Sequence, residues 1–207
     1  MQKKDDGYHN IETCFQYIDL YDHMSFENTE NGISIESNNA FLEGSSNTIY
    51  QSAKLLADIG DISSGVNIKI EKNIPIGAGL GGGSSNAAST IVALNKLWGL
   101  GLNQNKMLEI AKKIGADVPF FIYGKTAWAE GRGEILAEYP YKKKYYLLFL
   151  PALKISTKNA FEQASFVPRP KISKKNFTSD QSFNSFEVWI RRTYSEIDEA
   201  FNSLRLI

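Results

Sequence analysis

The 207-residue chain predicts an α+β fold that begins with a layered unit of β-sheet and α-helices. Apolar and polar residues alternate in the N-terminal part, as at Val66, Ile68 and Ile70, which is the pattern of a strand with one buried face. Farther along, apolar residues recur every three or four positions, the spacing of a helix with one buried face. A glycine-rich stretch, Pro75–Ser85, separates these two patterns.

Short apolar or alternating runs predict the strands. Those with alternation or a clear apolar face are Ile11–Tyr17, Met24–Glu27, Ile33–Ile35 and Val66–Ile70. Three further apolar runs are interpreted mostly as strands, namely Phe120–Ile122, Thr126–Ala129 and Tyr145–Leu150.

Helical spacing predicts the helices. They cover Ile49–Ile59, Ala87–Trp98, Met107–Ile114 with Asn103 as its N-cap, and Phe186–Leu206. Glycines end the second and third of these, as is usual at helix C-termini. In the last helix the residues expected to face inward are Phe186, Ile190, Ile197, Phe201 and Leu204.

Composition changes after Pro151, which predicts a domain boundary near residue 150. Residues 1–150 form the expected first domain and residues 151–207 the second. Within the second, Pro168–Ser185 is rich in Pro, Lys, Ser and Asn and predicts a long surface loop. A polar motif directly after Met1 and an apolar ending at Ile207 predict a chain cut at one or both ends.

Charge and composition exclude several classes of partner. Lys and Arg number 23 and Asp and Glu number 23, so no nucleic acid is expected to bind the chain through bulk charge. No apolar run is long enough to span a membrane, and no signal peptide is predicted after Met1. Cys14 is the only cysteine, which excludes an internal disulfide. The expected partner is a small molecule, and the expected location is the cytoplasm.

The glycine-rich stretch predicts a phosphate-binding loop, because it joins a predicted strand to a predicted helix. Five of the seven residues from Gly77 to Gly83 are glycine, and glycine lets the backbone adopt positive φ and approach a ligand closely. Successive N–H groups and the following helix N-terminus then attract an anion. A flexible linker or tight turn is the alternative, but apolar Ile76 and Leu80 argue against a linker. The candidate residues are Pro75, Ile76, Gly77, Ala78, Gly79, Leu80, Gly81, Gly82, Gly83, Ser84 and Ser85, the two serine hydroxyls being suited to a phosphate oxygen or a magnesium ion.

Other phosphate loops match this stretch poorly. A G-x-G-x-x-G pattern is present, but the acidic residue about twenty positions on is not. The Gly-Lys-Ser/Thr of a P-loop and the H-R-D and D-F-G motifs of protein kinases are absent. The pattern P-x-x-x-G-L-G-x-x-S-S instead resembles the second motif of the GHMP kinases, whose loop wraps the triphosphate of ATP.

Two further blocks resemble one family of GHMP kinases, the 4-diphosphocytidyl-2-C-methyl-D-erythritol kinases. Asp6-Gly7-Tyr8-His9 with Thr13-x-Phe15-Gln16 resembles the family's substrate-recognition segment. Gly115–Phe120 with Ala129–Glu134 resembles its catalytic segment. The resemblance runs nearly end to end, thins after Pro151, and implies a GHMP-type N-terminal domain followed by a shortened ferredoxin-like domain, with the active site between them.

The resemblance also implies the reaction, which is transfer of the γ-phosphoryl of ATP, with Mg²⁺, to the 2-hydroxyl of the cytidine diphosphate-linked methylerythritol in non-mevalonate isoprenoid synthesis. It implies that Asp117 is the catalytic aspartate that orients the hydroxyl and accepts its proton. From the residues alone, an equal alternative for Asp117 is a helix cap. Tyr8 and His9 match the residues that hold the cytosine. The metal ligands stay unassigned.

Three further residues match single positions of the family. Phe161 aligns with an aromatic residue of the cytosine pocket, and Asn47 and Lys72 align with nucleotide contacts. The alternatives are a core aromatic for Phe161 and exposed polar side chains for the other two, while His23 is interpreted as structural. The family's catalytic lysine and its third, Gly-rich motif fall outside the chain, which leads to the hypothesis of an incomplete gene product or fragment.

Three other functions are alternatives to this one. A GHMP kinase for mevalonate, homoserine or a sugar is disfavoured by the D-G-Y-H block. A non-catalytic nucleotide-binding remnant predicts ATP binding without ADP release. A purely structural α/β module is disfavoured because Ser84, Ser85 and Asp117 are intact.

Overall fold

The computed structural model describes residues 2–3, 9–140, 144–151, 153, 155, 157–163, 174, 177 and 183–204. The chain divides into two compact units, one of residues 11–141 and one of residues 1–10 with 142–207. The combination of sheets and helices confirms the α+β fold class, while the domain boundary near residue 150 stays a prediction. Within the described part of the chain, no helix combines the length and the apolar character that crossing a membrane requires.

The described elements are numbered in chain order. The strands are β1 (Gln2–Lys3), β2 (His9–Asn10), β3 (Thr13–Phe15), β4 (His23–Thr29), β5 (Ile33–Ser37), β6 (Gly65–Glu71), β7 (Ala127–Glu130) and β8 (Ile135–Glu138). The helices are α1 (Thr48–Gly60), α2 (Gly82–Leu97), α3 (Gln104–Ile114), α4 (Val118–Tyr123), α5 (Thr157–Gln163), α6 (Glu187–Thr193) and α7 (Ser195–Leu204), and a 3₁₀ turn covers Ala40–Leu42.

Two three-stranded sheets are described in the unit of residues 11–141. One has the order β3-β7-β8 with antiparallel neighbours. The other places β6 between β4, which runs antiparallel to it, and β5, which runs parallel. The register pairs Phe26 with Ile68 and Ile35 with Ile68 across the second sheet, so apolar side chains share one face.

The core lies between this face and the helices. The side chains of Val66, Ile68 and Ile70 alternate inward along β6 and are at most 3% exposed. The helices α1 and α2 supply their own apolar faces, because their buried residues recur at helical spacing. The buried members of this cluster are Ile49, Ala53, Leu56, Val66, Ile68, Ile70, Ala87, Ala88, Ile91, Leu94, Ile110, Ala111, Val118 and Ile122.

The prediction of a strand at Phe120–Ile122 was wrong, because these residues lie in helix α4. Pro119 occupies the first turn of the helix, where its missing N–H costs nothing. Gly124 ends the helix at φ 75°, and its N–H donates to the Phe120 carbonyl at 3.1 Å. Three consecutive apolar residues have no period of their own, so the flanking proline and glycine decide the structure.

The strand predicted over Tyr145–Leu150 was also wrong. The described backbone there has no regular secondary structure, and its six side chains are between 42% and 90% exposed. The apolar run therefore has no buried face in the unit that contains it.

The predicted helix over Phe186–Leu206 is two helices, α6 and α7, separated by Tyr194 in an extended conformation. Ile197 is buried as expected, but Phe201 and Leu204 are 38% and 39% exposed, so their inward placement was wrong. The Arg191 guanidinium lies 5.1 Å from the centre of the Phe201 ring, which explains why an aromatic residue is tolerated there. Most of the predicted loop Pro168–Ser185 lies outside the described residues.

Truncation of the fully buried Ile91 tests the position of this core. We expect Ile91→Ala to lower the free energy of unfolding by about 2–5 kcal/mol, because it removes buried apolar surface and leaves a cavity. The neighbouring residue Val92 is 47% exposed on the same helix, so Val92→Ala should change it by less than about 0.5 kcal/mol. Urea denaturation of both variants measures the difference, and equal effects would contradict the described packing.

Candidate functional site

The glycine-rich stretch forms the connection between β6 and α2, as the sequence predicted. Gly77, Gly79 and Gly81 have φ of 75°, 72° and 70°, a left-handed conformation that glycine adopts without strain. A Cβ placed on Gly77 or Gly79 would meet no atom within 4 Å, so this side of the loop faces open space. The loop therefore presents bare backbone to its surroundings.

The N-terminus of helix α2 lies at the end of this loop. Its N-cap residue, Gly81, makes no side-chain capping bond, and its first turn contains no acidic residue. Ser84 and Ser85 are half-buried in that first turn, and no hydrogen bond to either hydroxyl is found among the described residues. Uncapped N–H groups, the positive end of a 16-residue helix and two available hydroxyls together form an anion-binding geometry.

A buried carboxylate fixes the base of the loop. One oxygen of Asp22, Oδ1, accepts hydrogen bonds from the backbone N–H groups of Asn73 at 2.7 Å and Ile74 at 2.8 Å. The other oxygen, Oδ2, accepts from Lys72 Nζ at 2.5 Å and from Asn86 Nδ2 at 2.9 Å. We call the three side chains of Asp22, Lys72 and Asn86 the Asp22 cluster.

The Asp22 cluster is nearly closed to solvent. The side chains of Asp22 and Lys72 are 2% and 5% exposed, and residue Asn86 is 4% exposed. Burial by itself raises the pKa of the Asp22 carboxyl, but the hydrogen bonds from Lys72, Ile74, Asn86 and Asn73 outweigh burial and leave this pKa below its usual value. Asp22 is therefore ionised and fully hydrogen-bonded at neutral pH.

The alternative interpretation of Lys72 and Asn47 as exposed polar side chains is wrong, because both side chains form hydrogen bonds within the protein. Lys72 Nζ points into the protein, where it also donates to the Ile74 carbonyl at 2.8 Å. Asn47 is the N-cap of α1, accepting from Ile49 N at 2.9 Å, and it donates to the Leu42 carbonyl at 2.6 Å. Both polar ends of Asn47 are thus engaged in structure.

Asp117 stands at the N-cap position of α4 without acting as a cap. Its φ and ψ are −89° and −14°, and its side chain makes no capping hydrogen bond. The residue is exposed at the surface, but atoms crowded around its carboxyl reduce hydration, and this desolvation raises the pKa. The structural alternative for Asp117, a helix cap, therefore lacks the bond that defines it.

An aromatic cluster connects helix α4 with strand β3 and with the glycine-rich loop. Phe120 lies 5.0 Å from Phe15 and 4.6 Å from Tyr17, measured between ring centroids, and the Tyr17 hydroxyl donates to the Phe120 carbonyl at 3.1 Å. The next residue, Phe121, packs against the glycine-rich loop. A Cβ on Gly81 would lie 3.0 Å from its ring. Asp117 directly precedes α4 and Phe121 follows it by four residues, so the backbone of Asp117 lies about one helical turn from the residue whose ring packs against Gly81.

The segment after β7 also approaches Asp117. Gly131 and Gly133 have φ of 73° and 116°, and a Cβ on Gly133 would lie 3.5 Å from the carbonyl oxygen of Ala116. Strand β3 pairs with β7 in the register Thr13 with Ala129. The structure thus brings together the residues of the predicted catalytic segment and the part of the predicted recognition block that follows residue 11.

The other predicted site residues are placed as follows. Tyr8 lies outside the described residues, and His9 is described only as backbone, paired with Lys3 in β1–β2. Phe161 is half-buried in α5, with its ring 4.9 Å from that of Phe186. This packing fits the alternative of a core aromatic. Among the described residues, no group of three or more His, Cys, Asp or Glu side chains could hold a metal ion.

Sequence reasoning missed four residues that shape the site, namely Asp22, Asn86, Tyr17 and Phe121. The signal for Asn86 is weak, because this polar residue directly precedes the predicted helix Ala87–Trp98. For Asp22 there is none, because its partners are 50 to 64 residues away in sequence.

The fold and the loop define the class of protein. The family described as GHMP kinases N terminal domain matches residues 47–125, a range that contains α1, the glycine-rich loop and Asp117. A solved homoserine kinase from Cytophaga hutchinsonii superposes with a TM-score of 0.56 at 19% identity, over 73% of this chain and 52% of that one, and so shares the fold.

More similar relatives identify the family within this class. A 4-diphosphocytidyl-2-C-methyl-D-erythritol kinase from Francisella philomiragia is 42% identical over 214 residues, covering 100% of this chain and 78% of the relative. One from Acinetobacter baumannii is 41% identical over 211 residues, covering 98% and 74%. A crystal structure of a 4-(cytidine 5'-diphospho)-2C-methyl-D-erythritol kinase superposes with a TM-score of 0.80 at 30% identity, over 99% of this chain and 76% of that one. The chain belongs to the 4-diphosphocytidyl-2-C-methyl-D-erythritol kinase family.

The lowered pKa of Asp22 predicts a loss of stability in acid. A carboxyl whose folded pKa lies below its unfolded value of about 3.9 stabilises the fold fully above that pH, and this contribution disappears as the pH falls through the folded pKa. We expect Asp22→Asn to lower the free energy of unfolding by about 3 kcal/mol at pH 7, because it leaves a buried Lys72 charge unpaired. The difference from the unmodified chain should shrink below pH 4.

Urea denaturation between pH 3 and pH 7 measures this dependence. Asp58→Asn is the matched control, since Asp58 pairs with Lys54 on the surface, where the side chains are 57% and 59% exposed, and should cost less than about 0.5 kcal/mol. A stability difference for Asp22→Asn that stays constant with pH would contradict the described hydrogen bonds.

Proposed function

We propose that this chain transfers the γ-phosphoryl group of ATP to the 2-hydroxyl of 4-diphosphocytidyl-2-C-methyl-D-erythritol. Family membership supports the reaction, and the site supports the roles of individual residues. The observation that carries the proposal is that Asp117 directly precedes α4, the helix whose Phe121 ring packs against Gly81 of the glycine-rich loop. A carboxylate beside an uncapped helix N-terminus is the arrangement that phosphoryl transfer to an alcohol needs.

The glycine-rich loop would hold the phosphates of ATP. Its open side leaves room for phosphate oxygens close to the backbone, and the N–H groups at the start of α2 can donate to them. Charge that builds up on the leaving phosphate is stabilised by these fixed donors without any rearrangement. The residues proposed for this role are Pro75, Ile76, Gly77, Ala78, Gly79, Leu80, Gly81, Gly82, Gly83, Ser84 and Ser85.

Asp117 would orient the substrate hydroxyl and accept its proton. As the hydroxyl oxygen forms its bond to the γ-phosphorus, the bond from that phosphorus to the bridging oxygen of ADP breaks, and the proton passes to the carboxylate. Because desolvation raises the pKa of Asp117, its carboxylate is a better base than a fully hydrated aspartate. The raised pKa also means that the base form is lost at a higher pH than for an ordinary aspartate.

Mg²⁺ is the metal ion proposed to bind together with ATP, and the described residues offer hydroxyl ligands for it. They offer no cage of carboxylates, but Mg²⁺ commonly takes one or two protein ligands and fills its other positions with phosphate oxygens and water. The hydroxyls of Ser84 and Ser85 in the first turn of α2 are the side chains that would hold it. When bound, the ion neutralises charge on the β- and γ-phosphates.

Tyr8 and His9 are the proposed contacts of the cytosine. A tyrosine ring can stack on a base, and an imidazole can form hydrogen bonds with its edge. We propose a cytoplasmic location, where ATP and the substrate are both present.

Release of ADP tests the proposal directly. The unmodified chain is incubated with ATP, Mg²⁺ and 4-diphosphocytidyl-2-C-methyl-D-erythritol, and the control lacks the cytidine substrate. Substrate-dependent release supports the proposal. ATP binding without release would show that the chain is a nucleotide-binding remnant, and release with homoserine or mevalonate in place of the cytidine substrate would overturn the assigned specificity.

Replacement of Asp117 separates catalysis from binding. We expect Asp117→Asn to lower kcat by about 10²–10⁴-fold, since the amide cannot accept the proton, while ATP binding and the unfolding midpoint stay close to those of the unmodified chain. The acid limb of the kcat–pH profile should lie above the usual pKa of aspartate in the unmodified chain and be missing in the residual activity of the variant. Unchanged kcat would exclude Asp117 as the base.

Two glycines with the same backbone geometry test the phosphate loop. Gly79 has φ 72° and Gly32, in the turn between β4 and β5, has φ 76°, and a Cβ on either would meet no atom within 4 Å. We expect Gly79→Ala and Gly32→Ala to cost similar stability, about 1–2 kcal/mol each, because alanine is strained at positive φ. Only Gly79→Ala should raise KM for ATP, by about tenfold or more, which equals the loss of one hydrogen bond to a charged group.

Steady-state kinetics at varied ATP and urea denaturation provide the two measurements. Equal KM values for the two alanine variants would place the nucleotide elsewhere.

A further inference from the structure

The Asp22 cluster contacts both ends of the glycine-rich loop. At the first end, the Asp22 carboxylate holds the backbone N–H groups of Asn73 and Ile74. At the other end, it holds the side chain of Asn86, which lies one turn into α2. The residues from Pro75 to Leu80 span the gap between these two anchors, and no hydrogen bond from them to the rest of the described chain is found.

Side chains beneath the loop also pack closely against the first residue of α2. A Cβ on Gly82 would lie 2.9 Å from Ile74 Cγ2 and 3.0 Å from Lys72 Nζ. The start of α2 therefore rests directly on the Asp22 cluster, and a glycine is needed at this position for the two ends of the loop to approach. Both ends of the loop therefore depend on the positions of Asp22 and Lys72.

The Lys72 ammonium group is buried beneath the start of α2. Its ammonium donates to Asp22 Oδ2 and to the Ile74 carbonyl, and its side chain is 5% exposed. Its charge is matched by that of Asp22 at 2.5 Å, so little of its field is left for an anion outside. From sequence alone, a lysine next to a phosphate loop suggests a ligand of the phosphates. The hydrogen bonds and burial of Lys72 indicate instead that it pairs with Asp22.

We propose that Asp22 is a positioning residue for the ATP-binding loop, acting through Lys72, Asn86 and the backbone of residues 73–74. Lys72 serves as the counter-charge of Asp22 and not as a direct ligand of the phosphates. This inference rests on the proposed function, since it assumes that the loop binds the phosphates of ATP. According to this proposal, the affinity for the nucleotide depends also on Asp22, an acidic residue far from the loop in sequence.

The two roles of Lys72 predict opposite effects for replacement of its partner. If Lys72 is a direct phosphate ligand, Asp22→Asn frees its charge and ATP binds as tightly as before or more tightly, while Lys72→Met weakens binding. If Asp22 positions the loop, each single variant weakens binding, and the double variant is no weaker than the worse single one, because both belong to one unit.

The experiment measures binding of a fluorescent ATP analogue, with Mg²⁺, to the unmodified chain and to Asp22→Asn, Lys72→Met and the double variant. We expect an increase in Kd of about tenfold or more for each, since small displacements of positioning groups have effects of this size. In steady-state kinetics, KM for ATP should rise while KM for the cytidine substrate stays within about twofold. Lys69→Met is the matched control, because Lys69 lies in β6, three residues before Lys72, and forms an exposed pair with Glu36.

Amide hydrogen exchange over residues 75–85 in the nucleotide-free chain gives a second measurement that does not depend on ATP. Faster exchange in Asp22→Asn, but not in Lys69→Met, is expected from a loop that has lost its anchors. If the unmodified chain fails to bind the analogue, the proposed function is overturned, while the exchange result still decides whether Asp22 positions the loop.

Stability is checked by thermal unfolding of every variant. If Asp22→Asn fails to fold, Asn86→Ala removes one anchor and leaves the ion pair intact, and the same rise in Kd and the same faster exchange are expected from it. Unchanged affinity in a folded Asp22→Asn or Asn86→Ala variant, or tighter binding by Asp22→Asn, would overturn the proposal.

Discussion

The ionised carboxylate of Asp22, buried and hydrogen-bonded by four donors, is the constraint on which the glycine-rich loop depends. Removal of a carboxylate and an ammonium group from water is costly, and their mutual attraction alone does not always offset that cost. Here the remaining acceptor capacity of Asp22 is filled by backbone N–H groups and by Asn86. The arrangement therefore specifies where the chain turns, and any gain in stability is secondary to that.

Above this fixed base the loop is left open. Helix α2 starts without a side-chain cap, and the loop backbone adopts positive φ at three glycines with free space beside two of them. These features leave hydrogen-bond donors unused and so reduce stability, which is typical of sites that keep their donors for a ligand. Phe120 packs on Phe15 and Tyr17, and Phe121 lies against Gly81, so the helix that follows Asp117 and the glycine-rich loop belong to one packed unit.

Much of the fold could be predicted because the period of the apolar residues is local information. The strand at Val66–Ile70 and the helices α1, α2 and α3 were found within a few residues of their described bounds. The failures share one cause: Phe120–Ile122 and Tyr145–Leu150 are short apolar runs, and their structure depends on what lies next to them. In the same way, Phe201 and Leu204 have the spacing of a buried face but no core against them.

For the site, the sequence by itself predicted a phosphate loop and determined the family resemblance, since both depend on glycines, serines and their order along the chain. Only the tertiary structure decided that Lys72 faces inward, that Asn47 is a helix cap, and that Asp117 is not one. It also revealed Asp22, whose partners lie 50 to 64 residues away. The physical reason is that the charge state and hydrogen bonds of a side chain depend on neighbours in space, and those neighbours come together only when the sheet and helices pack.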